Sequence, residues 1–363
     1  MIPLFKVHYP VGIGQKIEDL FKSGIITEGE YSDKFEDQFS KFVGNPYTAL
    51  VNSATSALVL AYRMCDVGPG TEVISTPMTC MATNEPIVNA GAKIVWADID
   101  PTTGNIDPQS VESLITEKTR AIVGVYWAGQ PFEIDEIMQI GRKYKIPVIA
   151  DAAHALGSTY KNKQISTLCD YTVYSFQAIK HLTTADGGAL ACKNKLDFER
   201  IKLLRWFGID RKYPGSKWEQ DINECGYKFH MNNVNAIIGL EQMKYIDGII
   251  SSHKKNAKFF DENIKNINIE LLRRDEKSDP AYWLYSVLVD DSEKFKKYMF
   301  ENGIATDRVH VRNDEYTVFN DFRSSEGLRG CDTFCSKLMN IPVGWWLTEE
   351  DLAHIVKVVN SYV

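Results

Sequence analysis

The sequence contains no run of eighteen consecutive apolar residues, the length a helix needs to cross a bilayer, and Met1 to His8 hold no apolar stretch of secretory-leader length. A cytoplasmic location is the expectation. It also lacks a basic block: 41 Lys and Arg stand against 48 Asp and Glu, a formal charge of −7. Without a positive footprint to hold a nucleic-acid backbone or an anionic membrane surface, neither nucleic acid nor membrane is expected as a partner. Cysteine is sparse and odd in number, with seven scattered at Cys65, Cys80, Cys169, Cys192, Cys225, Cys331 and Cys335. That scatter gives no disulfide framework and suits inert thiols in a reducing compartment. Cys331 and Cys335 lie four apart on an expected helix, but no second pair stands at metal-ligand spacing, so no metal is expected. No internal repeat, low-complexity tract or long linker interrupts the chain, which excludes fibrous and disordered classes.

What is present is a chain of 363 residues, 44% of them apolar, enough for two packed domains. Between about residues 47 and 192, short apolar runs alternate with helical patterns. The strands are expected at 47–51, 72–76, 93–98, 121–126, 147–151, 171–176 and 188–192, and the helices at 55–65, 80–90, 108–117 and 133–144. Continuous apolar runs are the mark of strands buried on both faces, so the pattern predicts a mostly parallel seven-stranded sheet in an α/β/α large domain. After residue 192 the alternation stops. Helices are expected at 233–243, 250–264, 292–302 and 331–339, a strand at 282–289, and a last helix from Glu349 to Asn360 capped by Thr348. This is a small C-terminal α/β domain, with the division placed at 1–245 and 246–363.

Three features carry chemistry. Asp151 closes an apolar strand, and ligands of parallel sheets bind beyond the carboxyl ends of the strands, although the same residue could be a helix cap. Lys180 lies in the loop from Ser175 to Gly188, where a desolvated amine can act as a nucleophile, although most lysines are simply solvated. Asn52-Ser53-Ala54-Thr55-Ser56 joins a strand to a helix start, where free amides make an anion site or only a cap. Together they describe a phosphate cradle, a carboxylate and, 29 residues after it, a lysine. Pyridoxal 5′-phosphate (PLP) requires that set.

With these features in place, the chain closely resembles the DegT/DnrJ/EryC1/StrS sugar aminotransferases, fold type I enzymes with an aspartate aminotransferase-like architecture. The resemblance runs almost end to end, through Gly24 to Gly29 with Phe35-Glu36, Asn52 to Leu58, Asp151-Ala152-Ala153-His154, Ser175-Phe176 with Lys180 and Gly187-Gly188, Gly226 to Met231, and Leu347 to Asp351. It implies that Lys180 bonds the cofactor aldehyde and shuttles a proton between the donor Cα and C4′. It implies Asp151 at the pyridine nitrogen, His154 at the phenolic oxygen, and Ser175, Thr55 and the Ser56 backbone at the phosphate. His230 would reach the phosphate of a neighbouring subunit in a homodimer with shared sites, and an imidazole there would make binding pH-sensitive.

The aromatic that stacks on the ring in many relatives is missing from Pro77-Met78-Thr79-Cys80, which leaves that place to Cys80 or Met78. Arg308, His310 and Arg312 form a basic cluster suited to a diphosphate or a donor carboxylate, or else an exposed turn. Arg205 and Arg211 raise the same question, and Trp345-Trp346 either lines a substrate pocket or packs the domains. The activity implied is amino transfer from L-glutamate or glutamine to the 3- or 4-keto position of a nucleotide-linked keto-deoxysugar. A dehydratase branch of the family has His in place of the lysine, so Lys180 favours transfer. The alternatives are a sugar dehydratase, a cyclitol aminotransferase and a non-catalytic regulator that keeps the fold.

Overall fold

The computed structural model describes residues 1–216, 219–324 and 326–363. Its main sheet is built from β1 (Thr48–Val51), β2 (Glu72–Ser75), β3 (Lys93–Trp96), β4 (Thr119–Val125), β5 (Val148–Asp151), β6 (Tyr171–Ser175) and β7 (Gly188–Cys192). The spatial order is β1-β7-β6-β5-β4-β2-β3. Successive side chains enter cores on opposite faces: Ile149 joins one apolar cluster, Val148 and Ala150 the other. A strand buried on both faces has no polar side to alternate with, which is why these segments read as unbroken apolar runs.

On one face lie the helices Ala54–Met64, Lys195–Leu204 and Arg329–Lys337, through Leu58, Ala61, Ile201, Leu204 and Phe334. On the other lie Glu30–Val43, Ile134–Tyr144 and Asn233–Gln242, through Phe35, Phe39, Ile137, Met138 and Ala236. Phe35 and Phe39 are wholly buried, and each such side chain stabilises the layer by about 1.5–3 kcal/mol. The result is the three-layer α/β/α body that the sequence predicts.

Direction of travel positions the site. All neighbouring strands are parallel except β7, which runs against both β1 and β6. The start of β7 therefore lies beside the ends of the others, with Gly188 in register with both Val51 and Ser175. The connection 176–187 is a short return along one edge of the sheet.

A second, antiparallel sheet of β8 (Ile269–Leu271), β9 (Tyr285–Val289) and β10 (Leu338–Ile341) is packed with helices Ser292–Glu301 and Glu349–Asn360. Helix Ile246–Asn263 connects the bodies: Ile246 and Ile250 belong to a main-sheet core, Ala257 and Phe260 to the second. Thr348 caps the final helix with a capping box to Asp351, as expected.

Other details differ from the sequence reading. β10 falls where the apolar end of a helix was expected, the helix expected at 108–117 ends at Ser113, and helices Ile13–Ser23 and Glu30–Val43 lie outside the alternating region. Among the described residues, no helix is long and apolar enough to cross a membrane.

Candidate active site

The ends of β1, β5 and β6 and the start of β7 converge on one edge. Asp151, 4% exposed, ends β5. Its carboxylate accepts hydrogen bonds from Thr83 Oγ1 at 2.7 Å and from Ala153 N–H at 3.1 Å. Burial pushes this carboxyl above the ordinary value, while those bonds and the Lys180 charge pull it back.

Lys180 occupies the return between β6 and β7, and its backbone N–H donates to Gln177 O at 2.9 Å. Its Nζ lies 3.2 Å from the centroid of the Trp283 ring. Burial lowers the amine to about 7, against the pull of Asp151 and Cys80 toward the charged form. A lysine held there is largely neutral just above neutral pH and so available as a nucleophile or base.

At the phosphate-type site, Ser53 caps helix Ala54–Met64: its Oγ accepts from Ser56 N–H at 3.0 Å. The Ser56 amide is therefore already engaged, and its hydroxyl donates to Asn52 Oδ1 at 2.7 Å. The first-turn amides of Ala54 and Thr55 remain as donors at the helix start. Gly188 is required here, because a Cβ would sit 2.6 Å from Ala54 N and 2.7 Å from Ser53 C. Ser175 ends β6 and its Oγ accepts weakly from Gln177 N–H at 3.3 Å.

His230 runs alongside the end of β1 in its own chain, bridged to Val51, with Trp206 edge-on at 3.9 Å. Burial, together with Lys228, Arg205 and Arg211, lowers its imidazole to about 4. That moves its titration out of the neutral range expected from the sequence. His230 Nδ1 is buried without a partner among the described residues.

His154, 2% exposed, stacks on Trp283 with centroids 4.1 Å apart. Its Nε2 meets Nε2 of His310 at 3.2 Å, and its Nδ1 is buried with no partner among the described residues. Burial and the Lys180 charge hold this ring well below the ordinary histidine value, so it is neutral.

Of the expected basic cluster, only His310 meets these groups. Arg308 donates to Ser292 Oγ at 2.7 Å and pairs with Glu293, while Arg312 is paired with Asp314 and Asp332. Arg205 is buried between Glu28 and Glu36, Arg211 pairs with Glu28, and Trp346 donates to Pro3 O at 3.1 Å while Trp345 meets His8. Cys80 is exposed, and Cys335 Sγ donates to Met78 Sδ at 3.2 Å. No group of three or more metal-ligating side chains occurs among the described residues.

Trp283, Phe5 and Thr83 escaped the sequence reading. Trp283 Nε1 donates to Ile179 O at 2.8 Å, tying it to the residue before Lys180, and Phe5 stacks on its ring at 5.3 Å. The available signal was a tryptophan at the head of the only strand read in the C-terminal region, three residues after Pro280.

The structure of sugar aminotransferase CalS13 from Micromonospora echinospora superimposes with a TM-score of 0.96, at 34% identity over 100% of both chains. Spr1654 from Streptococcus pneumoniae, described as a putative sugar aminotransferase, gives 0.91 in its PLP form at 27% identity, covering 99% of this chain and 98% of that one. Among curated relatives, spore coat polysaccharide biosynthesis protein SpsC of Bacillus subtilis is 33% identical over 84% of this chain and 78% of its own. UDP-4-amino-4,6-dideoxy-N-acetyl-beta-L-altrosamine transaminase of Campylobacter jejuni is 31% identical over 88% of this chain and 86% of its own.

The class is thereby defined: a fold type I, PLP-dependent aminotransferase. The sequence profile of the DegT/DnrJ/EryC1/StrS aminotransferase family matches residues 12–360, and the chain belongs to that family as a sugar aminotransferase.

Proposed function

We propose that this enzyme moves an amino group from L-glutamate or glutamine to the 3- or 4-keto position of a nucleotide-linked keto-deoxysugar, in the cytoplasm, as a homodimer. The observation that carries the reading is Lys180, an amine held at about 7 on the same sheet edge as Asp151 and the helix start at Ala54. The Campylobacter relative, named for a UDP-linked amino sugar, supports the substrate class. Exposed Leu203, Phe207, Tyr213 and Ile222, on the chain leading to His230, support a second copy packing on that side. The division at 245/246, at the head of the connecting helix, gives a large cofactor domain and a small one.

The residues present fit PLP. The Ala54 and Thr55 amides with the Thr55 and Ser175 hydroxyls would hold the phosphate, and Gly188 keeps that cradle open. Asp151 would face the pyridine nitrogen, with Thr83 and Ala153 N–H fixing its orientation. The unpartnered His154 Nδ1 offers a donor for the phenolic oxygen. When bound, PLP supplies an aldehyde and a sink for the electrons released when the donor Cα loses its proton.

The chain does the rest. Lys180 would hold the aldehyde carbon until the donor's amino group displaces it there, and its freed amine would then take the proton from the donor Cα and return it at C4′; on the sugar half-reaction the order would reverse. Asp151, as a carboxylate, keeps the pyridine nitrogen protonated, which sustains the sink. Trp283 and His154 exclude water from the amine. Cys80 sits near Lys180, and Trp283 supplies the aromatic surface that the segment 77–80 lacks.

Purified enzyme with glutamate labelled at its amino nitrogen and a panel of nucleotide-linked keto-sugars and a keto-cyclitol, analysed by mass spectrometry, tests the reading. Label in an amino sugar is expected, and Lys180→Ala should abolish it. A deoxygenated sugar without label, a labelled cyclitol only, or turnover by Lys180→Ala would each overturn it.

A further inference from the structure

We propose that His310 is a positioning residue that fixes the tautomer of His154, leaving the His154 proton on Nδ1 where it serves the phenolic oxygen of the cofactor. The inference rests on the PLP site proposed above. The two Nε2 atoms are 3.2 Å apart, the ring planes differ by 6°, and the centroids are 5.2 Å apart. Such a close nitrogen pair at that centroid separation sets the rings edge to edge with their planes parallel, the arrangement of a hydrogen bond and not of a face-to-face stack.

Two facing imidazole nitrogens tolerate one proton between them: none leaves two lone pairs opposed, and two leaves hydrogens in collision. The other end of His154 decides which ring supplies it. Its Nδ1 is buried and unpartnered among the described residues, beside the place assigned to an anionic oxygen. A lone pair there would oppose that oxygen, whereas Nδ1–H donates to it. His154 Nε2 is then the acceptor and His310 Nε2–H the donor. Neither ring takes a second proton in the neutral range, since burial and the Lys180 charge hold both low, His310 at about 3. The titratable groups facing the pair are Lys180 and His181; the remaining ring neighbours are Trp127 and Trp283.

The loop carrying His310 is built to aim it. Asp307 and Asn340 exchange backbone hydrogen bonds, Asn340 Nδ2 donates to the carbonyls of Asp307 and Arg308, and Arg308 is tied to Ser292. On the far side, Arg312 is held by Asp314 and Asp332, and Asn313 donates to Thr79 O and accepts from Asn84. Between these anchors Val309 has φ +63°, a left-handed conformation that a β-branched residue adopts only under constraint. The two arginines flanking His310 thus serve as its mounts.

The test is the visible absorption of PLP-loaded enzyme titrated against pH, for the parent, His310→Gln and His310→Phe. A donor to the phenolic oxygen favours its ionised form and keeps the spectral midpoint low. Phe cannot donate to His154, so the midpoint should rise by about one pH unit or more. Gln keeps an N–H donor and should titrate within a few tenths of the parent. Equal shifts in both variants, or none in His310→Phe, would overturn the inference while leaving the cofactor site intact. Failure of the parent to take up PLP would instead remove the reading on which it rests.

Discussion

Replacing Gly188 by Ala adds one methyl group at the most crowded point of the proposed phosphate cradle. Its Cβ would lie 2.6 Å from Ala54 N, 2.7 Å from Ser53 C and 2.8 Å from Tyr174 O, all backbone atoms, where ordinary contact begins at 3.4 Å. No side chain can swing away, so the helix start must separate from β7 or the β6–β7 register must open. Overpacking of this kind costs about 1–3 kcal/mol. Because the displaced atoms are the first-turn amides, the same movement weakens the anion site, and each tenfold in affinity corresponds to about 1.4 kcal/mol. Urea unfolding should show the stability loss, and equilibrium dialysis of PLP an affinity lowered by about tenfold or more. Gly248→Ala is the control: nothing lies within 4 Å of its Cβ, inside helix Ile246–Asn263. There the same change should stabilise by about 0.5–1 kcal/mol through helix propensity. If Gly188→Ala unfolds and binds PLP as the parent does, the cradle is misassigned.

The rate of PLP uptake by apoenzyme should rise with pH through a midpoint near the Lys180 value of about 7. Trp283→Ala, which admits water to the amine, should move that midpoint upward by about one unit or more; an unmoved midpoint would deny Trp283 its role in desolvation. Burial pushes the Glu36 carboxyl up, but the charges of Arg205 and Lys202 and the bonds it accepts outweigh this and hold it at about 2 against an ordinary 4.5. Its stabilisation is therefore complete above pH 4.5 and lost as pH falls through about 2. Glu36→Gln should lose about 3 kcal/mol at pH 7 and show a shallower acid limb in denaturation curves, and a parent-like limb would contradict this. With the imidazole of His230 at about 4, PLP affinity between pH 6 and 8 should change alike in the parent and His230→Asn. A midpoint near 6.5 present only in the parent would show that His230 titrates near neutrality.

The buried strands were legible because both of their faces are apolar, and that same property put Asp151, at the end of such a run, on the ligand-binding edge. β10 was not legible: Leu338-Met339-Asn340-Ile341 follows a helix without a breaker, and only pairing with β9 makes it extended. At the site, residues on the β-strand ends and their loops could be placed from local order alone. Trp283 could not, since it reaches Lys180 through tertiary packing from more than a hundred residues away, and Phe5 joins only by stacking on Trp283. Arg308 and Arg312 looked free in the sequence because two of their carboxylate partners, Glu293 and Asp332, lie 15 and 20 residues distant along the chain.

The reversed strand β7 has a mechanical consequence. A crossover would carry the chain off to the far end of the sheet, but the segment bearing Lys180 leaves Ser175 and returns at Gly188, its register partner, so both ends are fastened at one spot. Trp283 pins it a third time, through the carbonyl of Ile179. The Cα of Lys180 has nowhere to travel. Its amine works like the tip of a short arm on a fixed pivot, reaching and withdrawing by rotation about side-chain bonds alone. Such rotations take picoseconds to nanoseconds in open surroundings, against microseconds or longer for collective backbone motions. The lysine can therefore change partners within a turnover without waiting for a loop to open.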